Sequence, residues 1–267
     1  AAIGRPPRGT VRALVRSERA AATVRTLPEA TDVVVVDYAD AQALARAAAG
    51  CDAIVHLVGI LKESRTTRYA DAHEGTARAL AAAAELAGFR RVVLLSILGA
   101  SADSPNACLA SKARSEAILL APPLATTVLR VPMVLGGEDY ATAALRARAR
   151  ARTVPLVRGG ASLEQPIDTA DVVEAIVAAL ARPALAGRTV ELAGPESLPR
   201  APPPPAPVRL SPAPAARLPA APPLTPAMLG VLEHDDHVDP APACRALGLT
   251  LTPLDDTLRR VVAACGG

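Results

Sequence analysis

Four short aliphatic runs set what this chain can fold into: VRALV (11–15), DVVVVD (32–37), AIVHLVG (53–59) and RVVLLS (91–96). DVVVVD is β-branched without alternation, so such a strand must be covered on both faces. That is the condition of a parallel sheet sandwiched by helices. Between the runs lie AQALARAAAG (41–50) and EGTARALAAAAELAG (74–88), rich in strong helix formers and each closed by glycine. Residues 105–120 read as another helix, ATTVLRVP (125–132) as a strand and TADVVEAIVAALARP (169–183) as a helix stopped by Pro183. TVELAG (189–194) reads as a last short strand. The alternation predicts the α/β class with a doubly wound parallel sheet. Right-handed crossovers then gather ligands at the C-terminal strand ends, which are Arg16, Asp37, Gly59, Ser96 and Pro132.

A sheet of this kind opens with a strand, a glycine-rich turn and a helix. Only ten residues precede VRALV, and Gly4 and Gly9 do not form G-x-x-G-x-x-G. The reading therefore expects the first strand and its glycine loop to lie outside this sequence. Removing a central strand from a natural sheet would leave two ladders of backbone groups unpaired.

Composition narrows the function classes. A net charge of +3 is too small to imply a polyanionic partner, and Tyr38, Tyr69, Tyr140 and Phe89 are the only aromatic residues. Stacking platforms for single-stranded nucleic acid are therefore scarce, which argues against that partner. Cys51, Cys108, Cys244 and Cys265 are scattered without metal spacing, a pattern that suits a reducing compartment. No apolar run is long enough for a bilayer span, and AAIGRPPRGT has no signal-peptide core, so the expected location is cytoplasmic.

Composition shifts at Leu198, after which LPRAPPPPAPVRLSPAPAARLPAAPPLTP holds twelve of the 26 prolines. Such a stretch forms neither a helix nor an interior strand. The expected organisation is a nucleotide-binding-type domain over 1–198, a Pro-rich segment over 199–226 and a small helical unit over 227–267. Within that last unit, helices are expected at about 225–233 and 253–264, with a loop between them.

From Val11 to about Leu198 the chain resembles the extended and atypical short-chain dehydrogenase/reductase superfamily, of NAD-dependent epimerase/dehydratase type. The resemblance rests on VRALVRSERAA, VVVVDYAD, CDAIVHLVGI, DAHEGTARALAAAAELAGFRRVVLLSILGA, SPNACLASKARSE, LRVPMVLGGED and QPIDTADVVEAI. It is closest to the branch of the Rossmann-fold accessory subunit of respiratory complex I, through SILGASADSP and through His73, where sugar-nucleotide epimerases carry Asn. PPLTPAMLGVLEHDDHVDPAPACRALG is similar to that branch's tail. The resemblance implies a Rossmann-type sheet, an NADP(H) or NAD(H) cofactor and, as alternative settings, a protein complex or the periphery of a respiratory membrane assembly.

By resemblance, Arg16 and Ser17 match the positions that receive the ribose 2′-phosphate in NADP-binding members, where a guanidinium forks onto phosphate. Asp37 and Tyr38 match the adenine pair, and Leu57, Val58 and Gly59 the strand end that passes along the dinucleotide. Val131 and Pro132 match the segment beside the nicotinamide. Ser96 and Lys112 match the catalytic Ser and Lys. The family's Tyr, four residues before that Lys, is here Cys108, a thiol much shorter than a phenol. With the proton donor replaced, hydride transfer is expected to be weak or absent.

Plainer readings stand beside these. Taken alone, Lys112 is a solvated helix lysine paired with Glu116, and Cys108 a small buried filler. EHDDHVD (233–239) has two histidines among carboxylates, but not the spacing of a helical two-His site, so no metal is expected. Asp171 reads as a first-turn acid on a helix, and His56 as a core histidine. No G-x-S-x-G elbow is present for a serine hydrolase. Three functions remain open: an NADP(H)-preferring binder with little turnover, a working reductase or sugar-nucleotide epimerase/dehydratase, and an interaction scaffold without nucleotide.

Overall fold

The computed structural model describes residues 10–27, 32–136, 142–143, 162–199, 230–231 and 234–263. In chain order the elements are β1 (Arg12–Val15), α1 (Glu18–Val24), β2 (Asp32–Val35), α2 (Ala41–Ala47), β3 (Ala53–His56), a π-helical turn (Ala70–Gly75) and α3 (Thr76–Ala87). There follow β4 (Arg91–Ile97), α4 (Ala107–Leu120), β5 (Ala125–Val131), β6 (Val134–Leu135), β7 (Leu163–Glu164), β8 (Ile167–Asp168) and α5 (Thr169–Ala181). A 3₁₀ turn (Pro183–Leu185), β9 (Arg188–Glu191), β10 (Leu198–Pro199), α6 (Ala241–Leu247) and α7 (Leu254–Ala263) complete the chain. The fold is the expected α/β Rossmann-like one, parallel strands with flanking helices.

The chain forms two compact units. The first comprises Ala1–Ser96, Ala100–Leu129 and Ala175–Val190. In it β1 runs parallel to β2, Arg12 opposite Asp32 and Val15 opposite Val35. A second ladder has the order β3-β4-β5-β9, with Ala53 opposite Arg91 and His56 opposite Leu94. Its core forms where α3 lays Ala77, Leu80, Ala83 and Ala84 onto Val92 and Leu94 of β4, with Leu119 and Val128 closing around them. Alanines on that face bring the helix close to the sheet. Leu94 and Leu119 are at most 1% exposed, and each contributes about 1.5–3 kcal/mol by leaving water. Val36, Leu44 and Ala48 join the same core.

The sheet is split. Among the described residues β1 bonds only to β2, and β3 only to β4, so each keeps a free edge. Val35, Val55 and Leu57 are exposed, so these positions lack the burial expected of the aliphatic runs. A parallel sheet buries both faces only where its strands are continuous.

Local signals explain what the sequence reading passed over. Helix α1 begins at Ser17, whose Oγ accepts from the Ala20 N–H at 3.3 Å. The helix expected from residue 74 is preceded by the π-helical turn, which a period of 3.6 cannot reveal. The loop expected before the last helix contains α6, which begins after Pro240 and ends at Gly248 with φ 65°. Apart from Leu198–Pro199 the Pro-rich segment lies outside the described residues, as does most of the helix expected at 225–233.

The second unit comprises Ile97–Gly99, Arg130–Glu174 and Glu191–Gly267. The buried Gln165 amide ties three segments together: Nε2 donates to Gly194 O and Val238 O, and Oε1 accepts from the Val238 N–H. Asp168 accepts from Thr257 and Arg260 of α7. Asp171, in the first turn of α5, accepts from both the N–H and the Oγ1 of Thr252. His234 Nδ1 donates to Asp236 Oδ1 at 3.1 Å and the ring lies against Gly99, whose φ of +75° and lack of Cβ leave room for it. No described helix is long and apolar enough to cross a membrane.

Candidate functional site

The C-terminal ends of β3 and β4 meet the first turns of α4 at one cluster in the first unit. Helix α4 starts at Asn106, whose Oδ1 accepts from the N–H groups of Cys108 and Leu109, and this cap fixes the phase of the helix. Cys108 and Lys112, one turn apart, therefore face the same way. Lys112 is half-buried, and its Nζ donates to Leu95 O at 3.5 Å. Burial lowers its pKa, with Cys108 and Glu116 opposing.

Gly59 is what lets the ammonium sit there. A Cβ on Gly59 would lie 2.9 Å from Lys112 Nζ and 3.5 Å from His73 Nε2. The next residue, Ile60, anchors the cluster: its N–H donates to His73 Nε2 at 3.1 Å, and its carbonyl accepts from Cys108 Sγ at 3.8 Å. His73 is 1% exposed, tilted against the Tyr69 ring at 5.6 Å, and its Nδ1 has no partner among the described residues. Burial, reinforced by the Lys112 charge, pushes the pKa of His73 down to about 4. His56, the buried core histidine, is lowered to about 4 by the same causes, with His73 adding a little.

Burial makes both remaining acids weaker. Burial raises the Cys108 thiol to about 11, against the lowering pull of Lys112. Burial likewise raises the Tyr69 phenol to about 12, and its hydroxyl donates to Leu61 O. Ser96 is 4% exposed and donates to Glu116 Oε1 at 2.5 Å, so its hydroxyl is engaged inside the protein. Glu116 Oε1 accepts from Ser96, and the Glu116 charge also acts on Lys112. Behind this cluster, Glu74 of the π-helical turn accepts from Ser111, Arg114 and Arg78, and so clamps that turn to α4.

The other expected residues lie as follows. Arg16 is exposed at the end of β1, close enough for its charge to be felt by the Tyr38 phenol. Tyr38 donates to Leu14 O at 2.9 Å, and burial raises its pKa. Ser17 caps α1, and Asp37 accepts from the Ala39 N–H in a tight turn. Leu57 is 60% exposed, beside half-buried Val58 and exposed Gly59. Val131 and Pro132 are buried and belong to the second unit. Sequence reasoning missed the roles of Glu116, Glu74 and Ile60. Glu116 was visible only as a partner for the lysine four residues earlier.

Three comparisons bear on this arrangement. The sequence pattern of a family described as NAD(P)H-binding matches residues 6–183. The chain is 35% identical over 164 residues to subunit 9 of the mitochondrial NADH dehydrogenase [ubiquinone] 1 alpha subcomplex of Arabidopsis thaliana, covering 60% of this chain and 40% of that protein. It is 28% identical over 127 residues to the ceramide reductase of Caulobacter vibrioides, covering 47% and 40%. The chain thus spans about 40% of the length of these relatives. Among solved structures, a dTDP-glucose 4,6-dehydratase variant from Streptomyces venezuelae with NAD bound superposes with a TM-score of 0.67 at 22% identity, over 92% of this chain and 83% of that one. A UDP-N-acetylglucosamine 4-epimerase from Bacillus cereus gives 0.63 at 14% identity, over 95% and 89%. At these identities the structures speak for the fold alone.

Proposed function

Because this chain belongs to the NAD(P)H-binding family that it matches from residue 6 to 183, we propose that it binds NADP(H) in preference to NAD(H), with little or no hydride transfer. The observation that carries the reading is the Lys112 ammonium held against Gly59 at the exposed end of β3. There Lys112 donates to the ribose hydroxyls of the nicotinamide half, and Gly59 lets the dinucleotide approach the backbone. Arg16, with Ser17 beside it, takes the 2′-phosphate, and Asp37 and Tyr38 edge the adenine. Leu57 and Val58 line the path between. A glycine-rich turn for the pyrophosphate is not among the described residues.

When bound, the dinucleotide supplies hydride chemistry, which needs a protein acid beside the substrate carbonyl. Cys108, buried and raised to about 11, is poorly suited, and Ser96 is occupied by Glu116. Both observations support a binding role over turnover. The match to a subunit of mitochondrial NADH dehydrogenase supports a place in a larger respiratory assembly. A second reading, a working reductase, is favoured by the match to ceramide reductase.

The test is a titration of the purified protein with NADPH and NADH, repeated with Arg16→Ala. We expect tighter NADPH binding, weakened about tenfold by the substitution (about 1.4 kcal/mol) with NADH unaffected. Equal affinities in both proteins would remove the preference. Steady oxidation of NADPH with any carbonyl substrate would replace the first reading by the second.

A further inference from the structure

Strand β2 opens a run of four valines between two aspartates, DVVVVD, and one of its edges is bare. The Val36 N–H donates to Val15 O at 2.8 Å, so at Val36 the backbone faces β1. In a parallel ladder that direction alternates along the strand. Val34 therefore also faces β1, while the N–H and C=O groups of Val33 and Val35 point away from it. Among the described residues these outward groups have no backbone partner. A groove of about 550 Å³ runs along this edge, walled by Val34, Val35 and Val36 and by Ala43, Arg46 and Ala47 of α2. Edge strands are commonly blunted by a proline, a bulge or an inward charge. The valine run has none of these, and Val35 is 38% exposed.

The two ends of the groove differ in charge. Helix α2 turns back along β2, because Arg12, opposite Asp32 at the start of the strand, donates to Ala47 O and Ala49 O. Arg46, exposed in the last turn of α2, therefore stands at the N-terminal end of β2, where Asp32 is already paired with Arg12. Asp37 and Asp40 line the other end and accept from backbone N–H groups of the turn and of α2. One end is thus basic and the other acidic. We propose that β2 pairs antiparallel with β2 of a second copy of this chain, about a two-fold axis at Val34. Val33 of each copy lies opposite Val35 of the other, and each such pair exchanges both N–H···O=C bonds. The antiparallel arrangement brings Arg46 of one copy beside Asp37 and Asp40 of the other, twice over. Parallel pairing would set acid against acid and Arg46 against Arg46, so charge selects the antiparallel form. The surface is small, so the dimer exchanges with monomer rather than being permanent. It forms without nucleotide, and so stands whether or not the chain binds NADPH.

Sedimentation velocity of the full chain from about 1 to 100 µM should show a monomer–dimer equilibrium. At the axis the two copies of Val34 form a non-hydrogen-bonded pair with Cα atoms about 4.5 Å apart, within the span of a disulfide. Mild oxidation of Val34→Cys should therefore give a covalent dimer. The parent, with its native cysteines, and Val11→Cys, at an exposed position off this edge, should not. Val35→Pro removes an outward N–H at an edge where proline is tolerated, and should leave the chain folded by circular dichroism but monomeric. Arg46→Glu reverses a charge that counts twice across a two-fold axis, and should weaken the dimer about tenfold. It decides the matter if the proline variant fails to fold. A chain that stays monomeric throughout the range, a dimer that Arg46→Glu leaves unchanged, or cross-linking of Val11→Cys as fast as Val34→Cys would overturn the proposal.

Discussion

Replacing Ser96 by Ala and Glu116 by Gln, singly and together, tests whether the serine at the end of β4 is held as a structural partner. The two side chains are 4% and 3% exposed and are joined at 2.5 Å. A hydrogen bond to a charged group contributes about 1.5–3 kcal/mol. Ser96→Ala removes one atom and leaves little cavity, so its cost of about 2 kcal/mol is nearly all lost hydrogen bond. Glu116→Gln keeps the shape but turns a charge-assisted bond into a neutral one, costing about 1 kcal/mol. Once Ser96 is Ala, the second change has less to lose, so the double variant should fall short of the sum by about 1 kcal/mol. Urea unfolding followed by circular dichroism measures all three, the serine variant shifting the midpoint by roughly 1 M. NADPH affinity should stay within twofold in Ser96→Ala. Strict additivity, or a serine variant as stable as the parent, would refute the pairing as an energetic link.

Stability should fall as the pH drops from about 6.5 toward 4. His56 and His73 are both lowered to about 4 in the fold, so the unfolded chain takes up protons first and the loss accrues across that window. The slope approaches about 1.4 kcal/mol per pH unit for each titrating histidine. His56→Gln should flatten it, and an unchanged slope in urea melts would count against this cause. Arg260→Ala leaves Asp168, buried at 3%, with Thr257 and the Ala170 N–H only. Because the guanidinium is half exposed, the expected cost is about 2 kcal/mol, below the full range for a buried pair. Hydrogen exchange should quicken over Leu254–Ala263 first; uniform quickening would contradict local detachment of α7. Cys108→Tyr should lower stability by about 1–3 kcal/mol, because the site is 1% exposed and closed by Ile60 O. It should leave NADPH oxidation at background, and turnover in that variant would show that a single phenol is all that is lacking.

The period of the sequence carried the fold. Continuous β-branched runs alternating with Ala-rich stretches have one economical solution, parallel strands between helices, and β1 to β5, α2 to α5 and β9 fall where that pattern puts them. The strand-end positions Arg16, Asp37, Gly59 and Ser96 were legible for the same reason, since a parallel sheet puts its C-terminal ends on one side. Partner choice was not legible. Glu116 lies four residues after Lys112, and its hydrogen bond to Ser96 of β4 was not visible from that spacing. Gly59 read as a place for a ligand to approach; that the Lys112 ammonium also packs against it was not legible. Such contacts join residues 20 to 53 positions apart and are settled by which side chain wins a shared, dehydrated volume. Local spacing sets which faces exist; packing and desolvation decide what each buried group can do there.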